Sequence, residues 1–269
     1  MLEIGTRALG YVRKRGLRFA LAQIAAQIRP PRLHHFADLA TRLSGKSGLE
    51  IGGPSEIFKH GGVIPVYRLL KSLDGCNFST ETIWEGAIAT GQTYRFSPDR
   101  PAGRQYICEA SHLVDIPNDA YDVVISSHCL EHSANPLKAL GEWTRVLRPG
   151  GTLVVIVPDP RHTFDRRRPT STFAHLRTDF ENATDETDLT HLAEILALHD
   201  LTLDELAGGP TAFATRARAN FENRGLHHHV FDAPLIEQAI RWAGNRSLYV
   251  ESHFPFHIVA VAEKPMGSG

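Results

Sequence analysis

Cysteine is scarce in this sequence, with 3 residues (Cys76, Cys108 and Cys129) in a chain of 269. So few and so far apart, they exclude a disulfide framework and a cysteine zinc site, and a reducing cytoplasm is the simplest setting. A charge excess is missing as well. Lys and Arg number 29 against 30 Asp and Glu, a formal net charge of -1, which excludes the basic surplus of a general nucleic-acid binder. No uninterrupted apolar run approaches the ~20 residues that cross a bilayer. The N-terminus also lacks the apolar block and small-residue cleavage site of a signal peptide. Internal repeats and low-complexity tracts are absent too. What remains is 42% hydrophobic and 22% charged, the composition of an ordinary soluble globular protein.

Charge is nonetheless unevenly placed. Residues 1–45 read as an N-terminal helical segment, and in its first 35 residues Arg7, Arg13, Lys14, Arg15, Arg18, Arg29 and Arg32 stand against a single acid, Glu3. Leu9, Val12, Leu17, Phe19, Leu21 and Ile24 lie between them, compatible with a basic amphipathic helix. Such a helix caps the main domain or rests on the anionic inner face of a membrane, and the pattern allows both. Pro30 and Pro31 end it, and Leu33 to Leu43 reads as a second short helix.

Strands and helices then alternate. Ser47 to Ile51 is a short strand; Val66 to Leu73 leads to Asp74, and Arg104 to Cys108 leads to Glu109. The β-branched run from Tyr121 to Ser126 and that from Thr152 to Val157 are expected as buried strands. Between them Pro136 to Leu147 is an amphipathic helix, closed by Arg148, Pro149, Gly150 and Gly151. A helix from Pro234 to Ala243 and strands over Ser247–Ser252 and His257–Glu263 complete the pattern. The alternation predicts a parallel sheet with helices on both faces, whose ligands sit at the carboxyl ends of the strands. From Pro158 to about Asp232 the pattern breaks, and this polar stretch is expected to be an inserted lid or substrate region.

The first strand runs into Leu49-Glu50-Ile51-Gly52-Gly53-Pro54-Ser55. A glycine turn allows close backbone approach, but the G-x-G-x-x-G spacing of a pyrophosphate cradle is missing, and Pro54 removes an amide donor. Glu50 would repel a phosphate and attract a cation. Here the chain resembles the class I S-adenosylmethionine-dependent methyltransferases, of the type 11-like kind, over roughly Gly48 to Val157. Its blocks follow in the family's order: the acid before the glycine turn, Asp74 in LDGCNFS, the acidic-small pair Glu109-Ala110, the stretch LVDIPNDAYDVVISSHCLEH, and LRPGGTLVVIVP. It departs where Pro54 and Glu56 replace the later glycines.

The resemblance implies a Rossmann-like, mostly parallel seven-stranded sheet forming a domain over residues 46–269, with the insertion at 158–232. It implies S-adenosyl-L-methionine held by Glu50, Gly52, Gly53, Pro54, Asp74, Glu109, Ala110, Ser127, His128 and His132. A looser likeness of the stretch from Thr163 to His191 and of LHHHVF to sugar- and polysaccharide-modifying methyltransferases orders the acceptors, with a sugar or glycan hydroxyl first. His229, His162 and Asp165 are the candidate bases.

Rival signals remain. His128-Cys129-Leu130-Glu131-His132 matches the H-x-x-E-H of inverted zinc peptidases, but that motif needs both histidines one turn apart on a helix, and a strand running to Ser126 puts His128 in a turn. A non-catalytic cofactor-binding relative is the other alternative. Of the 15 histidines, His162, His175, His191, His199, His227, His228 and His229 gather in or beside the insertion. They suit a general base near neutral pH, or a divalent-metal site with Asp159, Asp165 or Asp179; no metal ligand set is assigned from sequence. Asp165-Arg166-Arg167-Arg168 reads as a solvated charge run or as a grip for an anionic substrate group.

Overall fold

The computed structural model describes residues 33–267 together with Leu21. The arginine-rich helix expected before Leu33 lies, apart from Leu21, outside the described residues. The strands are β1 (Ser47–Ile51), β2 (Ser72–Asn77), β3 (Glu81–Thr82), β4 (Gly86–Ala87), β5 (Gly91–Tyr94), β6 (Gly103–Ile107), β7 (Tyr121–Ser127), β8 (Leu147–Pro158), β9 (Arg246–His253) and β10 (His257–Glu263). All but the small β3–β4 hairpin form one 8-stranded sheet in the order β5-β6-β2-β1-β7-β8-β10-β9. From β6 through β8 the pairing is parallel, while β10 is antiparallel to both β8 and β9. The strand beyond the seven anticipated is β5, an antiparallel edge on β6.

The central strands read as continuous apolar runs because both faces of the sheet are covered. Side chains alternate across the sheet with the pleat. Val124, Leu153, Val155, Val157, Ile258 and Ala260 enter one core; Val123, Ile125, Val154, Ile156, Val259 and Val261 enter the other. The first core is roofed by α2 (Pro136–Val146) and α7 (Ala233–Trp242). Both begin as the sequence signals require: Asn135 accepts from the Lys138 amide at 3.1 Å, Asp232 accepts from the Leu235 amide at 2.9 Å, and each has a proline in its first turn. The second core is closed by α1 (Phe36–Leu43), through Leu39 and Leu43, and by the chain between β1 and β2. That chain is no α-helix. Pro54, Gly61, Gly62 and Pro65 break it, leaving two short 3-10 turns at Glu56–Phe58 and Tyr67–Leu69.

This irregular segment shifts the second strand. Val66, Tyr67 and Leu70, expected in the strand, are buried in the second core instead, and β2 starts at Ser72. Asp74 therefore lies inside β2 opposite Leu49, and the tip of the strand is Asn77. Between β8 and β9 the polar stretch folds as α3 (Phe173–Glu181), α4 (Leu192–Leu198), α5 (Pro210–Arg218) and α6 (Asn220–Asn223), with a small core of Ile195, Ala207, Phe213, Ala217 and Leu226.

Candidate active site

Strand order reverses between β1 and β7, and the carboxyl ends of β1, β2, β6 and β7 border a cavity of about 440 Å³. That volume lies in the range of small-molecule sites, and its place is where open α/β sheets bind ligands. Gly52 supplies bare backbone on its wall. Its φ of +80° is a left-handed value that favours glycine, and an added Cβ would sit 3.0 Å from the Cys129 side chain. Pro54, Glu109, Ala110, Ser127, His128 and His132 also line it, which brings together seven of the residues named from sequence as cofactor contacts. Gly53 borders a smaller adjoining cleft.

Glu50 and Asp74, also named from sequence, are not on the wall of this cavity. The Glu50 carboxylate is fully buried and accepts from the Ser55 amide (3.0 Å), the Ser55 hydroxyl (2.7 Å) and the Tyr67 and Tyr94 hydroxyls (2.6 Å each). It does not line the cavity. Burial pushes its pKa up, while the hydroxyl and amide donors pull it back. The bare backbone at Gly53 makes room for this knot, since a Cβ there would lie 2.2 Å from the Glu50 carboxyl carbon and 2.4 Å from the Tyr94 hydroxyl. Asp74 is likewise occupied, accepting from the Arg104 amide (2.7 Å) and the Tyr121 hydroxyl (2.7 Å). The strand tip offers Asn77 instead. Its amide donates to the Gly53 carbonyl at 2.8 Å, and its buried Oδ1 has no partner.

The three candidate bases do not line the cavity. Asp165 is buried and spent on the His227 Nδ1 (2.5 Å) and the Arg168 guanidinium (2.9 Å), which hold its carboxyl down at about 2 against the opposing effect of burial. His229 points to Asp179, Nε2 to Oδ2 3.0 Å. His162 packs its ring on Phe254, centroids 5.4 Å apart. The arginine run is no free grip for an anion. Arg168 is buried against Asp165 and Glu194 and donates to the His227 and His228 carbonyls, while Arg166 and Arg167 pair with Asp200. Nor is the H-x-x-E-H stretch a helix: His128 has φ +52° and its Nε2 faces His257 Nδ1 at 2.8 Å, and only Leu130–His132 forms a 3-10 turn.

Within that stretch His132 is the histidine placed for chemistry. Its Nδ1 lies 3.0 Å from the Leu226 carbonyl, an acceptor only, so Nδ1 carries the proton and Nε2 keeps its lone pair. Burial, with His227 close by, lowers its pKa to about 3. Beneath it both oxygens of buried Glu131 lack hydrogen-bond partners, and burial pushes this carboxyl up to about 7. Glu186, on the cavity wall, is likewise pushed up to about 7, by burial and then by the neighbouring Glu109 charge. Arg224 pairs with Glu109 and lies over the Phe78 ring, 5.1 Å from its centroid, and the exposed Trp84 stands 6.0 Å from His132. Among the described residues two sets of side chains could hold a metal: Glu131, His132 and His227, and His175, Asp179, His191 and His229, with donor atoms in each set within 4.8 Å of one another.

Residues 68–155, which form β2 through most of β8, match the family model described as a methyltransferase domain. Over this third of its length the chain is similar to a methyltransferase domain. Among curated proteins none matches the sequence. Three solved structures give the measure of the wider likeness. A chain of the Haloferax volcanii complex between the Trm112 methyltransferase activator and a methyltransferase is 14% identical, with 97% of this chain and 94% of that one covered and a TM-score of 0.46. A Methanosarcina mazei S-adenosylmethionine-dependent methyltransferase is 15% identical, with 88% and 100% covered and a TM-score of 0.47. One from Mesorhizobium loti is 14% identical, with 85% and 97% covered and a TM-score of 0.46. With scores below 0.5 these likenesses carry no weight of their own.

The residues lining the cavity fit the cofactor S-adenosylmethionine. Asn77 Oδ1 is an unsatisfied acceptor suited to a ribose hydroxyl, Gly52 allows close approach of the amino-acid portion, and Phe78 and Ala110 give the adenine apolar walls. Glu109 and Glu186 add acidic groups suited to a sulfonium. The side chains that the sequence reading missed are Asn77, Phe78, Trp84, Glu186 and Arg224. Asn77-Phe78 follows Gly75-Cys76 directly, so a strand set a few residues later would have found it; Glu186 and Arg224 come from the insertion and carry no local signal.

Proposed function

We propose that this chain methylates a hydroxyl oxygen on a sugar, glycan or other small polar acceptor. The observation that carries the proposal is the placement of His132, on the cavity wall with Nε2 unprotonated and its ring fixed by the Leu226 carbonyl. A hydroxyl is a poor nucleophile until its proton has somewhere to go. Bound S-adenosylmethionine supplies an electrophilic methyl group and retains the C–S electron pair on sulfur. His132 takes the acceptor's proton at Nε2 as the acceptor oxygen gains the methyl, and, made a weak base by burial, passes that proton on to water.

A sugar suits the mouth of the cavity. Trp84 is 43% exposed there and offers a flat apolar face, and Glu56 and Glu85 beside it are acceptors for hydroxyls. In this reading residues 158–232 act as the lid: Leu226 orients His132, and Glu186 and Arg224 close the wall opposite the strand tips. His227 stands behind His132, ring centroids 4.6 Å apart, held by Asp165, so the acid first named as a base becomes a support of the wall.

The test is release of S-adenosylhomocysteine by the full chain with a panel of sugar, phenol and amine acceptors. Turnover with a sugar hydroxyl, lowered roughly 10²–10⁴-fold at saturating cofactor by His132→Ala, is the expected result. Turnover confined to amines, or full activity in His132→Ala, rejects the proposal.

A further inference from the structure

Behind the cavity, beyond Ser133, four side chains from three separate elements converge. His175 and Asp179 stand one turn apart on α3, His191 precedes the first residue of α4, and His229 comes from the stretch before α7. His175 Nε2 lies 2.9 Å from His191 Nε2 and 3.3 Å from Asp179 Oδ2, and His229 Nε2 lies 3.0 Å from the same oxygen. Ligand atoms around a tetrahedral zinc with bonds of about 2.0–2.1 Å stand roughly 3.3 Å from each other, so these separations are close to those of a zinc shell.

Around a neutral His229 the hydrogen-bond inventory does not close without a cation. His229 Nδ1 faces the Ser133 carbonyl at 3.3 Å while Nε2 faces a carboxylate oxygen. Both partners only accept, and a neutral imidazole has one N–H. Whichever nitrogen carries the proton, one lone pair points at another in a site where His229 is 1% exposed. A metal ion at Nε2 and Oδ2 removes the conflict: Nδ1–H then donates to Ser133, which is how ligating histidines are usually oriented. Asp179 is supported in the same way, its other oxygen accepting from the Thr184 hydroxyl at 3.4 Å.

We propose that His175, Asp179, His191 and His229 form a closed, tetrahedral zinc site that ties the inserted helices to the chain behind the catalytic cavity. All four positions are filled by protein, so the site is structural and leaves the methyl-transfer chemistry to the cavity. The group of Glu131, His132 and His227 is the competing location.

Full-length protein, purified without chelator and dialysed, is analysed for metal, and cobalt uptake is followed by its visible spectrum. About one zinc per chain and the strong visible absorption of tetrahedral cobalt are expected. His191→Ala, at a partly buried position less enclosed than His229, should weaken zinc by more than ~100-fold, whereas His132→Ala should retain it. Zinc lost from His132→Ala but kept by His191→Ala moves the metal to the cavity and overturns the proposal. Wild-type protein that neither contains zinc nor takes up zinc or cobalt overturns it as well. Metal content is read without turnover, so it stands apart from the choice of methyl acceptor.

Discussion

At the scale of single residues, an acid before bare backbone has a different use from the one expected. Glu50 is sealed by Ser55, Tyr67 and Tyr94, and Gly53 and Gly75 are the empty spaces that let it and Tyr94 fit. Gly53→Ala forces a methyl into the Glu50 carboxylate and should lower stability by about 1–3 kcal/mol, seen as a lower denaturant midpoint with unchanged slope. The cofactor berth answers instead to Asn77. Asn77→Ala removes the one orphaned acceptor at the tip of β2 and should weaken S-adenosylmethionine by about 1–2 kcal/mol, measured by calorimetry, whereas Asp74→Ala should leave that affinity nearly unchanged. The residue types were legible in LDGCNFS. Their register was not, because the apolar stretch that looked like the strand belongs to a 3-10 turn packed in the second core.

Among the elements, those with a clean period or a cap could be read directly. Strands β7, β8 and β10 and helices α2 and α7 follow from continuous β-branched runs, Asn or Asp caps and early prolines. Helices α3 to α6 carry short and partly polar faces, and their packing depends on partners distant in sequence, so the extent of the insertion was legible but not this set of four helices. Asn135 joins the two kinds. It caps α2 and also donates to the Asp179 and Thr184 carbonyls at 3.1 and 3.3 Å. Asn135→Ala should therefore cost more than the ~1 kcal/mol of a simple cap, about 2–3 kcal/mol in equilibrium unfolding, because it orphans buried carbonyls as well. The three cysteines make a related point: scattered in sequence, Cys76, Cys108 and Cys129 all border one cavity, since each sits at or just past a strand tip.

For the whole molecule, the buried acids around the cavity make stability and cofactor binding respond to pH in opposite directions. Burial raises Glu131 and Glu186 from an ordinary 4.5 to about 7, so the folded chain holds their protons more tightly than the unfolded chain does. Their contribution to stability is fully present below 4.5 and is lost as pH rises through about 7. The same loss of protons leaves a more negative wall, so affinity for the cationic cofactor should rise across that range, and Glu186→Gln should flatten the rise. Paired pH series of thermal unfolding and of cofactor affinity check both halves.

The central claim is that the tips of β1, β2, β6 and β7 form one berth for S-adenosylmethionine. Titration calorimetry of the full chain with that compound measures it most directly. The account predicts saturable binding at one site per chain, weakened by Asn77→Ala and strengthened as pH rises; heat that never saturates, or binding indifferent to Asn77, would contradict it.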